Sequence, residues 1–367
     1  MISIMRVLQA VPQIDKSPEG RATLDLGQEL VRLGHESIVV SAGGELMDRL
    51  VLRGSRHIEI PLDRRSLWSL RLVRRLRRLI RELEVDVVHA RAPLPGWLLW
   101  LAVRGIPEGQ RPRFVTSVHR LYGGGFFNSI MAAGQQVMAV SGFAGERLRK
   151  QFSRKLASAP EIVPGGVNTR EFDRSAPVSG YWHQRLLNDF PQLEGRNWLL
   201  MPAALSPGNG HREFLQLLSM LGQQRDDVFG LIVGEVPPGD VKYARKLERL
   251  ALDLGLSDKV LFMGPRRDMR ELYASARITF CLGERPLAYG RVAAEALAMG
   301  CPVIAYRLGG LTELLQQCFP QGLVDAGDTE ALLEASMEVL KRPVQVVSDG
   351  LSLEDMSARV LALYARA

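Results

Sequence analysis

Short apolar runs alternate with longer amphipathic stretches along this chain, and that rhythm constrains the fold more than any other feature. Runs at 4–10, 37–41, 56–60, 86–90, 113–117, 136–140 and 161–164 read as strands. Between them, 21–33, 45–53, 67–84, 97–104, 128–133 and 142–152 read as helices. Repeated βα units predict a parallel sheet covered by helices on both faces. Segment 173–196 interrupts the rhythm with Pro177, Gly180, Pro191 and Gly195, and reads as a connection. The alternation then resumes, with strands at 198–202, 230–234, 260–263, 278–282 and 303–305. The matching helices are 211–221, 241–254, 269–275, 330–340 and 351–365. The expected class is α/β, with two Rossmann-like doubly wound domains facing across a cleft. They span 1–172 and 197–345, joined by a linker at 173–196, and a C-terminal helix in 346–367 packs back on the first. A length of 367 residues suits two domains. Ligands of such folds sit at the carboxyl ends of the strands.

One stretch, 285–310, reads R-P-L-A-Y-G-R-V-A-A-E-A-L-A-M-G-C-P-V-I-A-Y-R-L-G-G. It predicts a loop, a helix starting near Gly290, a turn at 299–302, a buried strand and a glycine turn at 309–310. Gly290 lets a ligand approach the backbone, and the free N–H groups of a helix start suit a diphosphate. Glu295 lies about one and a half turns further on, where a carboxylate reaches a ribose diol. The plain alternative is an ordinary strand–helix–strand unit.

Charge is concentrated. The net excess is +7, and eight arginines fall between Arg64 and Arg81. Leu72, Val73, Leu76, Leu79, Ile80 and Leu83 form one helical stripe, with Arg71, Arg74, Arg75, Arg78 and Arg81 largely off it. Such a helix either packs on a sheet with a solvated basic face or is drawn to an anionic membrane surface. In the second case Arg71, Arg74, Arg75, Arg77 and Arg78 make the contact. No nucleic-acid-binding signature accompanies the charge, so no nucleic acid is expected. No run of about 18 uncharged apolar residues predicts a membrane span. The N-terminus reads as a first strand, not a signal peptide. Cys281, Cys301 and Cys318 lack metal-ligand spacing, which fits a reducing cytoplasm.

Several further motifs occur in a fixed order. They are G-H-E-S-I-V-V-S-A-G-G at 34–44, D-V-V-H-A-R at 86–91, F-N-S-I-M-A-A-G-Q-Q-V-M-A-V-S at 127–141, V-P-G-G-V-N at 163–168 and V-L-F-M-G-P-R-R-D-M at 260–269. With 285–310 they resemble the retaining glycosyltransferases of the GT-B fold, the large family-four type. Within that family they look like enzymes of bacterial lipopolysaccharide and surface-polysaccharide assembly. The resemblance covers nearly the whole chain. It implies donor contacts from Gly290, Arg291, Val292, Glu295, Ser206, Asn209, Gly264 and Arg266. It implies catalytic roles for His119 and Arg291, with Arg91 and Ser141 on the acceptor side. It implies no metal and no cofactor, because basic groups and a helix dipole stabilise the leaving diphosphate. Plainer roles compete: His119 as a strand-end cap, Arg91 in a salt bridge, Ser141 as an N-cap. For Arg266 and Arg267 the plain role is a loop salt bridge. His89, inside its strand, reads as buried.

The chain departs from the family pattern around the same cleft. Ser17 and Pro18 stand where a Gly-Gly pair is usual, and Pro18 removes an N–H. Gly165 replaces an arginine. Ala204 and Asn209 replace the Arg and Lys that clamp the diphosphate. Leu287 replaces the first acid of a spaced Glu pair whose second member is Glu295. A hydrogen bond to a charged group is worth ~1.5–3 kcal/mol, so losing the Arg and Lys costs roughly 3–6 kcal/mol if nothing compensates.

The expected function is transfer of a sugar from a nucleoside-diphosphate donor, a UDP-sugar, with retention. The expected acceptor is a lipid-linked glycan of lipopolysaccharide core or cell-surface polysaccharide. The expected place is the cytoplasm, peripheral at the anionic inner-membrane surface. The alternative is a catalytically impaired relative acting as partner or regulator in surface-polysaccharide assembly.

Overall fold

The computed structural model describes residues 4–66 and 69–366. Among them the strands form two parallel sheets, one in each of two units. The first unit is Met1–Gly166 with Gly350–Ala367, and the second is Val167–Asp349.

In the first unit the strands are β1 (Arg6–Ala10), β2 (Glu36–Ser41), β3 (Arg56–Glu59), β4 (Val87–Ala90), β5 (Arg113–Val118), β6 (Gln136–Ala139) and β7 (Glu161–Ile162). The helices are α1 (Pro18–Arg32), α2 (Met47–Leu52), α3 (Leu70–Glu82), α4 (Pro93–Arg104) and α5 (Gly142–Phe152). The chain follows the order β3-β2-β1-β4-β5-β6-β7. Residues 67 and 68, where the sequence starts the arginine-rich helix, lie outside the described residues. Residues 128–132 close as a 3-10 turn.

Both faces of this sheet are buried, as strands in βα units require. Leu8, Ile38, Val40 and Val88 pack with Val73 and Leu76 of α3 and with Leu98 and Leu99 of α4. On the other face Val7, Val87 and Val115 meet Leu26 and Leu30 of α1. Val360, Leu363 and Tyr364 complete that second cluster.

In the second unit the order is β10-β9-β8-β11-β12-β13. The strands are β8 (Asn197–Pro202), β9 (Val228–Val233), β10 (Val260–Gly264), β11 (Ile278–Cys281), β12 (Val303–Tyr306) and β13 (Leu323–Val324). The helices are α6 (Gly180–Asp189), α7 (His211–Gly222), α8 (Val241–Asp253), α9 (Met269–Ser275), α10 (Arg291–Ala298), α11 (Gly310–Cys318) and α12 (Thr329–Lys341). The last helix, α13 (Leu353–Arg366), returns to the first unit and carries Val360, Leu363 and Tyr364.

Segment 173–196 is more than a connection. It holds α6 and belongs to the second unit. Its glycines and prolines frame the helix instead of breaking it. Ser179 caps the start by accepting from Trp182 N at 3.5 Å, and Pro191 follows the end. Trp182 Nε1 donates to Asp268 at 2.7 Å, which ties the segment to α9. Helix α11 is a second element the sequence reading lacked. The turn at 309–310 launches it, because Gly309 (φ 62, ψ −148) is itself the N-cap. No helix among the described residues is long and apolar enough to cross a membrane.

Candidate active site

The first sheet changes direction between β1 and β4, and polar side chains gather at the carboxyl ends there. Arg91 follows β4, and His119 follows β5. Arg91 is 3% exposed. Its Nε and Nη2 donate to Gln9 Oε1 at 3.0 and 2.8 Å. Its Nη1 lies 2.6 Å from His119 Nε2. Among the described residues Arg91 therefore makes no salt bridge; its direct partners are neutral. Burial pushes its pKa down to about 10, while Tyr364, Asp25 and Glu19 pull the other way. Burial, and then the charges of Arg91 and Arg120, hold His119 well below the usual histidine value. It is neutral at physiological pH.

Sequence reasoning missed the shell around this pair. Glu19, 3% exposed on α1, binds Arg120 through both oxygens. Tyr122 OH donates to Glu19 Oε1 at 3.3 Å. Gln9 carried a signal in the sequence: it interrupts the apolar residues Val7, Leu8 and Ala10 of β1. Glu19 did not, because its partner lies across 101 positions of chain. Ser141 acts as N-cap of α5, accepting from Ala144 N at 3.1 Å. Ser17 does the same for α1, accepting from Gly20 N at 3.1 Å. Pro18 then occupies the first helical position, where the N–H it lacks has no partner inside the helix.

The second sheet changes direction between β8 and β11. The loops after these strands are joined by Glu284 N donating to Gly208 O at 2.9 Å. Three helices start beside them with glycine N-caps and no side-chain cap: α7 at Gly210, α10 at Gly290 and α11 at Gly309. Their first N–H groups and aligned dipoles suit an anion. Within α10, Arg291 Nε donates to Glu295 Oε1 at 2.9 Å, with Glu295 side chain 9% exposed. Val292 is half-buried beside them.

Other residues expected on the donor side have structural partners. Gly290 is needed for packing: an added Cβ would stand 2.4 Å from Leu311 Cδ1. Asn209 Nδ2 donates to Ala204 O at 2.8 Å, closing the loop on itself. Ser206 Oγ donates to Asp240 Oδ2 at 2.5 Å. Arg266 grips Asp268 through Nε and Nη2 at 2.9 and 2.5 Å, the loop salt bridge of the plainer reading. Gly264 ends β10 with φ 67. Leu287 is 50% exposed, and its carbonyl accepts from Gly310 N at 2.8 Å. Among the described residues no cluster of His, Cys, Asp or Glu could hold a metal.

On α3 the arginines divide. Arg77 turns inward, its Nε donating to Ala102 O at 3.1 Å and its Nη2 to Leu101 O at 3.2 Å, at the end of α4. That removes it from the exposed basic face. Arg75 Nη2 donates to Glu59 O at 3.2 Å, and Arg78 stands 3.8 Å from Glu82. Arg71 and Arg74 are exposed.

Residues 20–171 match the model described as Glycosyltransferase Family 4, and residues 185–351 match Glycosyl transferases group 1. The chain belongs to the GT-B glycosyltransferases. The phosphatidyl-myo-inositol mannosyltransferase of Mycobacterium leprae is 27% identical to this transferase over 301 residues, 80% of this chain and 75% of that one. Some curated matches are local, one covering only 28% of the relative's length. A glycosyltransferase from Rickettsia africae has the same fold, with TM-score 0.87 and 24% identity over 99% of this chain and 98% of that one. Anabaena HepE, solved with UDP-glucose, superposes with TM-score 0.77 at 17% identity over 99% and 100%.

Proposed function

We propose that the transferase moves a sugar from a UDP-sugar, with retention, to a lipid-linked glycan of lipopolysaccharide core or surface polysaccharide. The carrying observation is the set of three glycine-started helices beside the β8–β11 switch, with Arg291 and Glu295 paired in α10. The diphosphate lies against those helix starts, and Arg291 offsets the charge that develops on it. Glu295 accepts from the ribose hydroxyls. The complex of HepE with UDP-glucose supports the choice of UDP. The inositol-lipid name of the mycobacterial relative supports a lipid acceptor. No metal or cofactor is needed for this chemistry.

Peripheral attachment at the inner membrane face belongs to the same reading. Arg71 and Arg74 of α3 are exposed, and so are Leu70 at 57% and Phe126 at 75%. Each basic group near an anionic surface contributes ~1 kcal/mol. Flotation with anionic vesicles that is unchanged in Arg71→Gln/Arg74→Gln would remove this part.

A second reading has its own observation. Asn209 is tied to Ala204, and Arg266 to Asp268, so neither stands ready to replace the missing diphosphate clamp. The chain would then bind nucleotide weakly and serve as a partner in surface-polysaccharide assembly. Calorimetry separates the two. Micromolar UDP binding that Glu295→Ala abolishes supports the transferase, whereas no heat from UDP, GDP or their sugars at millimolar concentration defeats it.

A further inference from the structure

The hydrogen atoms of the first unit's polar cluster can be placed from its distances alone. A guanidinium has only hydrogens to give. Arg91 Nη1 lies 2.6 Å from His119 Nε2, so that nitrogen accepts. His119 is then the neutral tautomer with its hydrogen on Nδ1. Ser117 Oγ lies 2.9 Å from the same Nε2 and 2.7 Å from His89 Nε2. His89 Nδ1 lies 2.6 Å from the hydroxyl of Tyr364, which is fully buried on α13.

One arrangement gives every one of these contacts a hydrogen. Tyr364 O–H donates to His89 Nδ1, His89 Nε2–H donates to Ser117 Oγ, and Ser117 O–H donates to His119 Nε2, whose one lone pair it shares with Arg91 Nη1; Arg91 Nη1 also reaches Ser117 Oγ at 3.4 Å. The reverse arrangement has His89 donating to Tyr364 and Ser117 donating to His89. It leaves the hydrogen of the buried Tyr364 hydroxyl with no acceptor among the described residues, which a buried site penalises.

We propose that Tyr364 is a positioning residue for His119, acting from the C-terminal helix through His89 and Ser117. Its hydroxyl selects the His89 tautomer that frees the Ser117 hydrogen for His119. His119 is thereby held as an Nδ1–H donor, suited to a sugar oxygen and unsuited to act as a base. The proposal rests on the transferase reading above. It also explains why the last helix carries a tyrosine into the core at this point. The ring packs edge-on against His89, 5.8 Å between centroids, and the hydroxyl adds the 2.6 Å contact to Nδ1.

The test uses the full chain with 15N-histidine labelling and the variants Tyr364→Phe, Ser117→Ala and their double. His119→Gln assigns the His119 signals. In the parent, long-range 15N–1H correlation is expected to give His119 as the Nδ1–H form and His89 as the Nε2–H form. In Tyr364→Phe, His89 is expected to become a mixture of tautomers. Each single variant is expected to lower kcat several-fold with little change in donor KM. The double variant is expected to be no worse than the more damaging single, because both act along one line. The acid limb of the kcat/KM profile is expected to move to higher pH in Ser117→Ala, since Nε2 has lost a donor. An unchanged His89 pattern in Tyr364→Phe overturns the proposal, as do single effects that multiply in the double. If no donor is turned over, the transferase reading fails, while the imidazole signals still decide the relay.

Discussion

Arg291 and Glu295 form an ion pair one turn apart at the start of α10, Nε to Oε1 at 2.9 Å. Glu295 is 7% exposed, and the pair holds its carboxylate beside an uncapped helix start. Glu295→Gln keeps the shape and removes the charge. A hydrogen bond to a charged group is worth ~1.5–3 kcal/mol, so UDP affinity is expected to fall roughly 10- to 150-fold. Isothermal calorimetry reads this directly. Affinity within two-fold of the parent would mean that Glu295 holds Arg291 and not the nucleotide.

The two glycines flanking this site differ in the reason for being glycine. Gly290 has φ −104, which any residue adopts, but a Cβ there would press on Leu311 Cδ1 at 2.4 Å. Gly309 has φ 62 and ψ −148, and a Cβ there would meet Leu287 O at 2.5 Å. Overpacking a core costs about 1–3 kcal/mol, and a side chain can move where a backbone cannot. Gly290→Ala is therefore expected to lose about 1–2 kcal/mol, part of it recovered in Gly290→Ala/Leu311→Val. Gly309→Ala adds backbone strain of order 1–3 kcal/mol and is expected to be the more damaging. Urea unfolding of the three variants ranks them, and equal losses at 290 and 309 would contradict the distinction.

Arg77 shows where sequence periodicity reached its limit. The apolar stripe of α3 was legible, since Val73, Leu76 and Ile80 are its buried members. The direction of each arginine was not, because Arg77 finds its acceptors 24 and 25 residues away at the end of α4. The parallel sheets were legible for a local reason: every strand but β13 lay in its own short run. Helix α11 and strand β13 were obscured, one by a glycine pair that reads as a turn and the other by having two residues. At the site, Gly290 and Glu295 stood out by spacing within one helix. The Arg91–His119–Ser117–His89 cluster is assembled from separate strands, and only the fold brings it together.

The inward turn of Arg77 separates fold from surface. Its guanidinium binds two carbonyls at the end of α4, favourable for a cation by dipole and hydrogen bond alike. It sits against Gly105, where a Cβ would fall 2.0 Å from Arg77 Cζ. Arg77→Ala is expected to lose about 1–3 kcal/mol of stability and to leave vesicle binding unchanged. Arg74→Ala is expected to do the reverse, weakening flotation on anionic vesicles with stability within about 0.5 kcal/mol. Chemical unfolding and flotation on both variants check the pair. Weaker flotation in Arg77→Ala would return that residue to the exposed face.

The neutral state of His89 and His119 sets a pH dependence of stability. Burial comes first among the causes that hold both well below the ordinary value of 6.5, followed by the charge of Arg91. The unfolded chain binds a proton at each as pH falls through that value, and the folded chain does not. Folding is therefore unaffected by these two groups above about pH 7 and is progressively lost below 6.5, down to their folded values. Each histidine contributes a slope that approaches about 1.4 kcal/mol per pH unit once the pH is well below 6.5, so the two together approach about 3. His119→Gln keeps an acceptor for Arg91 and removes one titrating group. Its stability is expected to fall less steeply below pH 6.5 than that of the parent, by one histidine's share, since His35, His57 and His211, also lowered by burial, contribute to both; urea unfolding at each pH measures the difference. Equal slopes in parent and variant would show that His119 takes up a proton in the folded state, and with it that Arg91 does not hold Nε2 as an acceptor.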